Sequence, residues 1–219
     1  MGQLDHRLDA LTILHCNVNG LRNSITELRQ ITNEDDPDII MLNETKLSPI
    51  DTFSIPNYTA VRLDKHRRSG GIAILHKTTI PATKIYLQDV GQTEILTIKI
   101  TLNKKNHPHH HNLQSPKNNI PIELIKQLSK LDRLIILGDF NAHHHHFGDA
   151  INNKQGRQLL DVITTTRLKI VQLPGPTRVP NHSQQHFTST DKVLCTNNIY
   201  NTMAKIDILP PHTDHTPIK

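Results

Sequence analysis

The chain has 219 residues, enough for one full hydrophobic core and too few for two comfortable ones. Its hydrophobic fraction is 35% and it contains no Trp, yet apolar residues gather in blocks such as Ile39-Ile40-Met41-Leu42 and Leu134-Ile135-Ile136-Leu137, which excludes disorder throughout. Lys and Arg number 25 against 20 Asp and Glu, a formal charge of +5 that favours a polyanionic partner without proving one.

No stretch approaches the roughly 20 apolar residues that cross a bilayer. Residues 1–10, with Asp5, His6, Arg7 and Asp9, carry no signal-like apolar region. The expectation is a short N-terminal extension over 1–10 and a soluble intracellular domain over 11–219, with no membrane partner. Cys16 and Cys195 sit in apolar segments and neither belongs to a CxxC, so both read as buried free thiols in a reducing compartment.

Leu11 to Cys16 predicts a first strand, followed by the polar turn Asn17-Val18-Asn19-Gly20. A helix follows, with Ile25, Leu28 and Ile31 at three-to-four spacing, Asn23 or Ser24 as its cap, and Pro37 beyond its end. Asp38 to Leu42 is the next strand, so Asn17 and Glu44 fall just past the carboxyl ends of two strands, where α/β folds place their ligands. Tyr58 to Leu63, Gly71 to His76 and Thr93 to Thr101 read as strands with no helix between them, which implies antiparallel pairing. Arg67 and Arg68, in Lys65-His66-Arg67-Arg68 before Gly70-Gly71, either touch phosphates or form a solvated turn. Within the weakly patterned segment 103–119, Asn103 to His111 lacks periodicity and reads as an exposed loop. Ile120 to Lys130 predicts a helix with Ile122, Ile125 and Leu128 on one face, feeding the strand Leu134 to Leu137. Lys154 to Thr165 predicts another helix, and Leu168 to Val171, Lys192 to Thr196 and Ile199 to Ile206 are the late strands. The chain stops at Lys219, where Pro217 and Ile218 would begin an edge strand, which suggests an excised domain.

Taken singly, Asn17 and Asn19 before Gly20 read as turn formers and Glu44 as a strand-end residue. Gly138-Asp139-Phe140-Asn141 is a stronger signal, because alternation would aim Asp139 and Asn141 into one cleft and Phe140 into the core. Asp214-His215 adds a carboxylate and an imidazole, but no GxSxG elbow supplies a nucleophile. Attack by an activated water fits better, with a hard divalent cation held by carboxylate and amide oxygens. His109-His110-His111 and His143-His144-His145-His146 do not read as metal sites, since adjacent imidazoles diverge. The second run follows Asn141 directly, which would let His143 or His144 face the cleft and meet phosphate.

Together these residues resemble the endonuclease/exonuclease/phosphatase superfamily, and within it the apurinic-like endonuclease domain of non-LTR retrotransposons of the jockey-like or R1-like insect type. The resemblance runs from Leu11 to Ile218. It rests on His15-Cys16-Asn17-Val18-Asn19-Gly20-Leu21-Arg22, Leu42-Asn43-Glu44-Thr45-Lys46, Ser69 to Leu75, Gly138-Asp139-Phe140-Asn141-Ala142-His143-His144, Asn153 to Leu160 and Asp214-His215-Thr216-Pro217, in the family's order. It implies an α/β fold, a four-layered α/β/β/α sandwich of two mixed β-sheets. It also implies a Mg2+ ion, with Mn2+ as the alternative, held by Glu44 with Asn17, Asn19 and Asp214. Asp139 would position or deprotonate the attacking water, and Asn141 would hold the phosphate or the water beside it; position and charge, rather than the resemblance, add His143, Arg67 and Arg68 as substrate contacts. His215 would stabilise the transition state and Asp191 would orient it. The implied partners are double-stranded DNA and a reverse transcriptase domain of the same polyprotein, in the nucleus.

Three departures accompany the match. A Tyr-x-Pro-Pro strand end is expected between the Thr93 strand and the Ile120 helix, where Asn106-His107-Pro108-His109 stands. Phe147-Gly148 lies where Trp is usual, and Thr190 precedes Asp191 where an apolar residue is usual. An abasic-site nuclease or phosphatase of the same fold, and a DNA-binding domain that has lost turnover, therefore stand beside the nicking endonuclease.

Overall fold

Side-chain alternation along the strands decides the layers of the computed structural model, which describes residues 10–65, 69–90, 93–101, 108–116, 120–178, 189–209 and 216–219. In β1 (Ile13–Asn17) and β2 (Ile39–Asn43), Leu14, Cys16, Ile40 and Leu42 face outward and pack beneath Leu21, Leu28 and Ile31 of α1 (Leu21–Asp35). Ile39 and Met41 face the other way, toward a second sheet.

The first sheet has the order β1-β2-β4-β3, with β3 (Tyr58–Leu63) and β4 (Ile72–Lys77); only β1 and β2 are parallel. The second contains β5 (Ala82–Val90), β6 (Thr93–Thr101), β7 (Pro108–Pro116), β8 (Leu134–Asp139), β9 (Leu168–Val171) and β10 (Asp191–Thr196). Its order is β5-β6-β7-β8-β10-β9, and only β7 and β8 are parallel. Between the sheets, Met41, Ile72 and Ile74 meet Leu96, Ile98, Leu137, Val193 and Cys195. Outside the second sheet, Leu134, Ile136, Phe140 and Leu194 pack on α2 (Ile122–Leu128) and α3 (Lys154–Thr165) through Ile125, Leu159 and Val162. The result is the expected four-layer α/β/β/α sandwich with two mixed sheets.

Several expectations are corrected. Part of the 103–119 segment is the strand β7, which pairs along all nine of its residues with β6 and along five with β8. Its His-His-His-Asn stretch has no apolar rhythm, so its neighbours impose the conformation rather than its own residues. β5 also went unread. Ile199 to Ile206 is no strand: α4 (Asn197–Tyr200) turns the chain directly after β10, and Ile199, Met203 and Ile206 cover the edge of the inter-sheet core from irregular backbone. The helix expected over Ile120 to Lys130 is confined to α2. Neither Asn23 nor Ser24 caps α1, whose N-cap is Gly20 at φ 111°; the Ser24 hydroxyl instead donates to the Val18 carbonyl at 2.8 Å. Ile218 forms bridges with His15 and Ile208.

The loop between β8 and α3 is folded back by one residue. Asn153 is the N-cap of α3: its Oδ1 accepts the N–H of Gly156 at 2.7 Å and that of His143 at 3.0 Å, while its Nδ2 donates to the Asn141 carbonyl at 2.7 Å. The His143 backbone then lies directly on Gly156, where an added Cβ would stand 1.9 Å from the His143 carbonyl oxygen. Gly156 is therefore kept for close approach, despite its cost inside a helix.

Gly156→Ala should destabilise the fold by about 1–3 kcal/mol or more, and Asn153→Ala by about 1–2 kcal/mol, read from urea midpoints. Burial pushes both thiols up to about 12, with the Asp191 carboxylate adding to the effect at Cys16. Iodoacetamide at pH 8 should therefore spare both in the native protein and alkylate both in urea; rapid native labelling of either would contradict the packing.

Candidate active site

The alternation that builds the inter-sheet core also builds the site. Inward-facing positions run Ile13, His15, Asn17 on β1 and Ile39, Met41, Asn43 on β2. They run Leu96, Glu94 on β6, then Ile135, Leu137, Asp139 on β8 and Cys195, Val193, Asp191 on β10. At one end of the sandwich the apolar series turns polar on every one of these strands. His15, Asn17, Asn43, Glu94 and Asp191 are all buried there, and Asp139 is half-buried at the rim.

Glu44 comes immediately after β2, half-buried, with φ 55°. Its carbonyl accepts the N–H of Gly20 at 2.8 Å and the Thr45 carbonyl accepts that of Leu21 at 2.9 Å. The backbone of the Glu44 turn thus satisfies the start of α1, which needs no side-chain cap. The Asn17 Oδ1 accepts the N–H of Asn19 at 3.1 Å. The Asn19 Oδ1 accepts from Lys46 Nζ, so that oxygen already faces a cation.

Asp139 and Asp191 are register partners across the β8–β10 ladder, which puts two carboxylates side by side on the inward face. Asp191 Oδ1 lies 4.0 Å from His15 Nδ1, and the Asp191 N–H donates to the Thr177 hydroxyl at 3.2 Å. Asp139 Oδ1 accepts the N–H of Asn141 at 3.0 Å. Phe140 is fully buried as expected, but Asn141 has φ 46°, so the extended chain ends at Asp139 and a tight turn carries the amide. Asn141 is exposed.

On the opposite face of β10, Lys192 is buried with its Nζ 3.2 Å from Asp149 Oδ2 and 5.5 Å from the centroid of the Phe147 ring. Burial lowers its pKa, opposed by the carboxylates of Asp149, Asp191 and Asp139. Asp149 also accepts the His144 N–H at 3.1 Å and stands 3.3 Å from His143 Nδ1. His143, expected to meet substrate, is thus buried inside its loop.

Asp214, His215, Arg67 and Arg68 lie outside the described residues. The next residue after His215 is described: the Thr216 N–H donates to the Thr177 carbonyl at 2.8 Å. Sequence reasoning missed His15, Asn43, Glu94, Asp149, Lys192 and Asn153. Counting in twos from Asn17 would have found His15. Asp149 and Lys192 had no such signal, because their pairing depends on how the loop folds onto β10.

The donor set fits a hard divalent cation: a carboxylate from Glu44 and an amide oxygen from Asn17, at the carboxyl ends of adjacent parallel strands. Among the described residues no three His, Cys, Asp or Glu side chains converge as a metal cage. A cation here would keep positions for water and substrate.

Comparisons with known proteins bear on the family and the fold. The family model described as Endonuclease/Exonuclease/phosphatase family matches residues 14–215. A probable RNA-directed DNA polymerase from transposon BS of Drosophila melanogaster is 25% identical over an alignment of 185 residues that covers 80% of this chain and 20% of that protein. The chain thus spans about a fifth of the relative's length. Among solved structures, the endonuclease domain of TRAS1, a telomere-specific non-LTR retrotransposon, superposes with a TM-score of 0.76 at 16% identity, covering 95% of this chain and 96% of that one. The AP endonuclease of Leishmania major gives 0.72 at 13% identity, covering 95% and 86%. These structural likenesses establish the fold. With its family model spanning nearly the whole sequence and its carboxylates gathered at one end of the sandwich, the chain belongs to the endonuclease/exonuclease/phosphatase family.

Proposed function

We propose that the chain is a metal-dependent DNA endonuclease that nicks one strand of duplex DNA, leaving a 3′ hydroxyl that primes reverse transcription by a polymerase domain of the same polyprotein. The observation that carries this reading is the facing pair Asp139 and Asp191 on the inter-sheet face that also bears Asn17, with Glu44 one residue past the neighbouring strand. The transposon relative supplies the polymerase context, and nicking of chromosomal DNA would place the protein in the nucleus.

A divalent cation, Mg2+ or Mn2+, held by Glu44 and Asn17 with Asp214, would neutralise charge on the scissile phosphate. Asp139 orients the attacking water and accepts its proton, and its half-buried position lets water reach it. Asn141, exposed beside it, donates to a phosphate oxygen. His215, protonated, stabilises the developing negative charge, and Asp191 holds its imidazole. Support for that pairing comes from Thr177, whose hydroxyl accepts the Asp191 N–H and whose carbonyl accepts the N–H of Thr216, the residue following His215. Arg67 and Arg68 extend the contact along the DNA backbone.

Supercoiled plasmid with Mg2+ should convert to open circle. EDTA should abolish the conversion, and Asp139→Ala and His215→Ala should each slow it by about 10²–10⁴-fold. Cleavage confined to abasic duplex would replace the retrotransposon reading with a repair nuclease. A folded protein that shifts DNA without cutting it would reduce the function to binding.

A further inference from the structure

Glu94 stands on the inward face of β6, in the sheet opposite Glu44, and no step above uses it. Its carboxylate is 1% exposed. Oε1 accepts the N–H of Gly71 at 2.8 Å and lies 3.1 Å from Lys65 Nζ, while Oε2 has no hydrogen-bond partner among the described residues. The packing is close: a Cβ on Gly70 would stand 2.7 Å from Oε1, and one on Gly71 would stand 2.5 Å from Thr45 Oγ1. Both glycines have positive φ, 69° and 83°, so a side chain at either would be strained as well as crowded.

The contact continues to the turn that carries Glu44. The Gly71 carbonyl accepts the Thr45 N–H at 3.0 Å and the Gly70 carbonyl accepts the Lys46 N–H at 2.7 Å. These bonds flank two left-handed residues, Glu44 at φ 55° and Lys46 at φ 53°. A buried carboxylate here is costly. Burial raises the Glu94 pKa, and the Glu44 charge adds to that, against the Gly71 N–H and Lys65. A neutral amide would avoid the cost and still accept the N–H. What the charge adds is a stronger bond to Gly71 and a more negative field beside Glu44.

We propose that Glu94 is a positioning residue for the cation bound at Glu44, acting through Gly70-Gly71 to fix the Glu44–Lys46 turn and through its charge to tighten cation binding. It touches neither cation nor DNA. The inference rests on the reading of Glu44 as a metal ligand.

The test is calorimetric titration of Mn2+ into the whole chain, paired with amide hydrogen exchange. Glu94→Ala should raise the Mn2+ dissociation constant roughly tenfold. It should also strip protection from the Gly71, Thr45 and Lys46 amides and leave Ile40 and Ile74 protected. Glu94→Gln, which keeps the acceptor and loses the charge, should keep the protection and weaken Mn2+ by about threefold. Wild-type affinity and exchange in Glu94→Ala would overturn the proposal, and so would a loss of protection spread evenly over the core, which marks a merely structural residue. If Glu94→Ala fails to fold, Glu94→Gln decides, and wild-type Mn2+ affinity in that variant overturns the role of the charge. Glu44→Ala separates the two levels. If it binds Mn2+ as well as wild type, Glu44 is not the ligand and the metal reading falls with this one. If it loses Mn2+ while Glu94→Ala keeps it, only the Glu94 inference falls.

Discussion

The backbone junction around residues 43–46 is the constraint on which the site depends. Val18, Gly20 and Leu21 donate to the carbonyls of Asn43, Glu44 and Thr45, and Thr45 and Lys46 donate to those of Gly71 and Gly70. Two non-glycine residues in left-handed conformation cost about 1–2 kcal/mol each, and five backbone hydrogen bonds at about 1 kcal/mol each offset them. The strain persists because three segments from β1, β2 and β4 all close on it. One junction starts α1, ends β2 and aims the Glu44 carboxylate.

The second sheet makes its contribution by register. β8 and β10 are antiparallel with Asp139 opposite Asp191, so two carboxylates face one another without either strand departing from regular pairing until its end. Directly after Asp139 the chain must turn, and the turn is stapled from a distance by Asn153 and seated on Gly156. On the outward face of β10, Lys192 and Asp149 form a buried ion pair under Phe147. Such a pair contributes more to holding one loop conformation than to net stability, because desolvation consumes most of its attraction. The Glu44 turn of one sheet and the Asp139 carboxylate of the other thus meet at the rim of a shared core.

Much of this was legible in the residues. The apolar blocks around Ile40 and Ile136 named the central strands, the Lys154 to Thr165 periodicity gave a helix with the observed bounds, and Asn17, Glu44 and Asp139 stood out as polar residues at strand ends. β7 was not legible, because a strand flanked on both sides takes its shape from β6 and β8 rather than from its own His-rich pattern. Ile199 to Ile206 misled for the opposite reason, since apolar residues can cover a core edge from a helical turn and irregular chain. Glu94 was passed over because nothing local distinguishes it from any charged strand residue.

The sequence by itself determined the layers, since period-two burial on strands and three-to-four spacing on helices are properties of consecutive residues. It also determined which strand ends would be polar. Only the tertiary structure decided which of those ends meet, that Asp139 faces Asp191, that Glu94 of one sheet accepts the Gly71 N–H at the edge of the other, and that Lys192 is buried against Asp149. Those pairings join residues far apart in the chain, and their geometry is set by register and sheet packing, which no local pattern encodes.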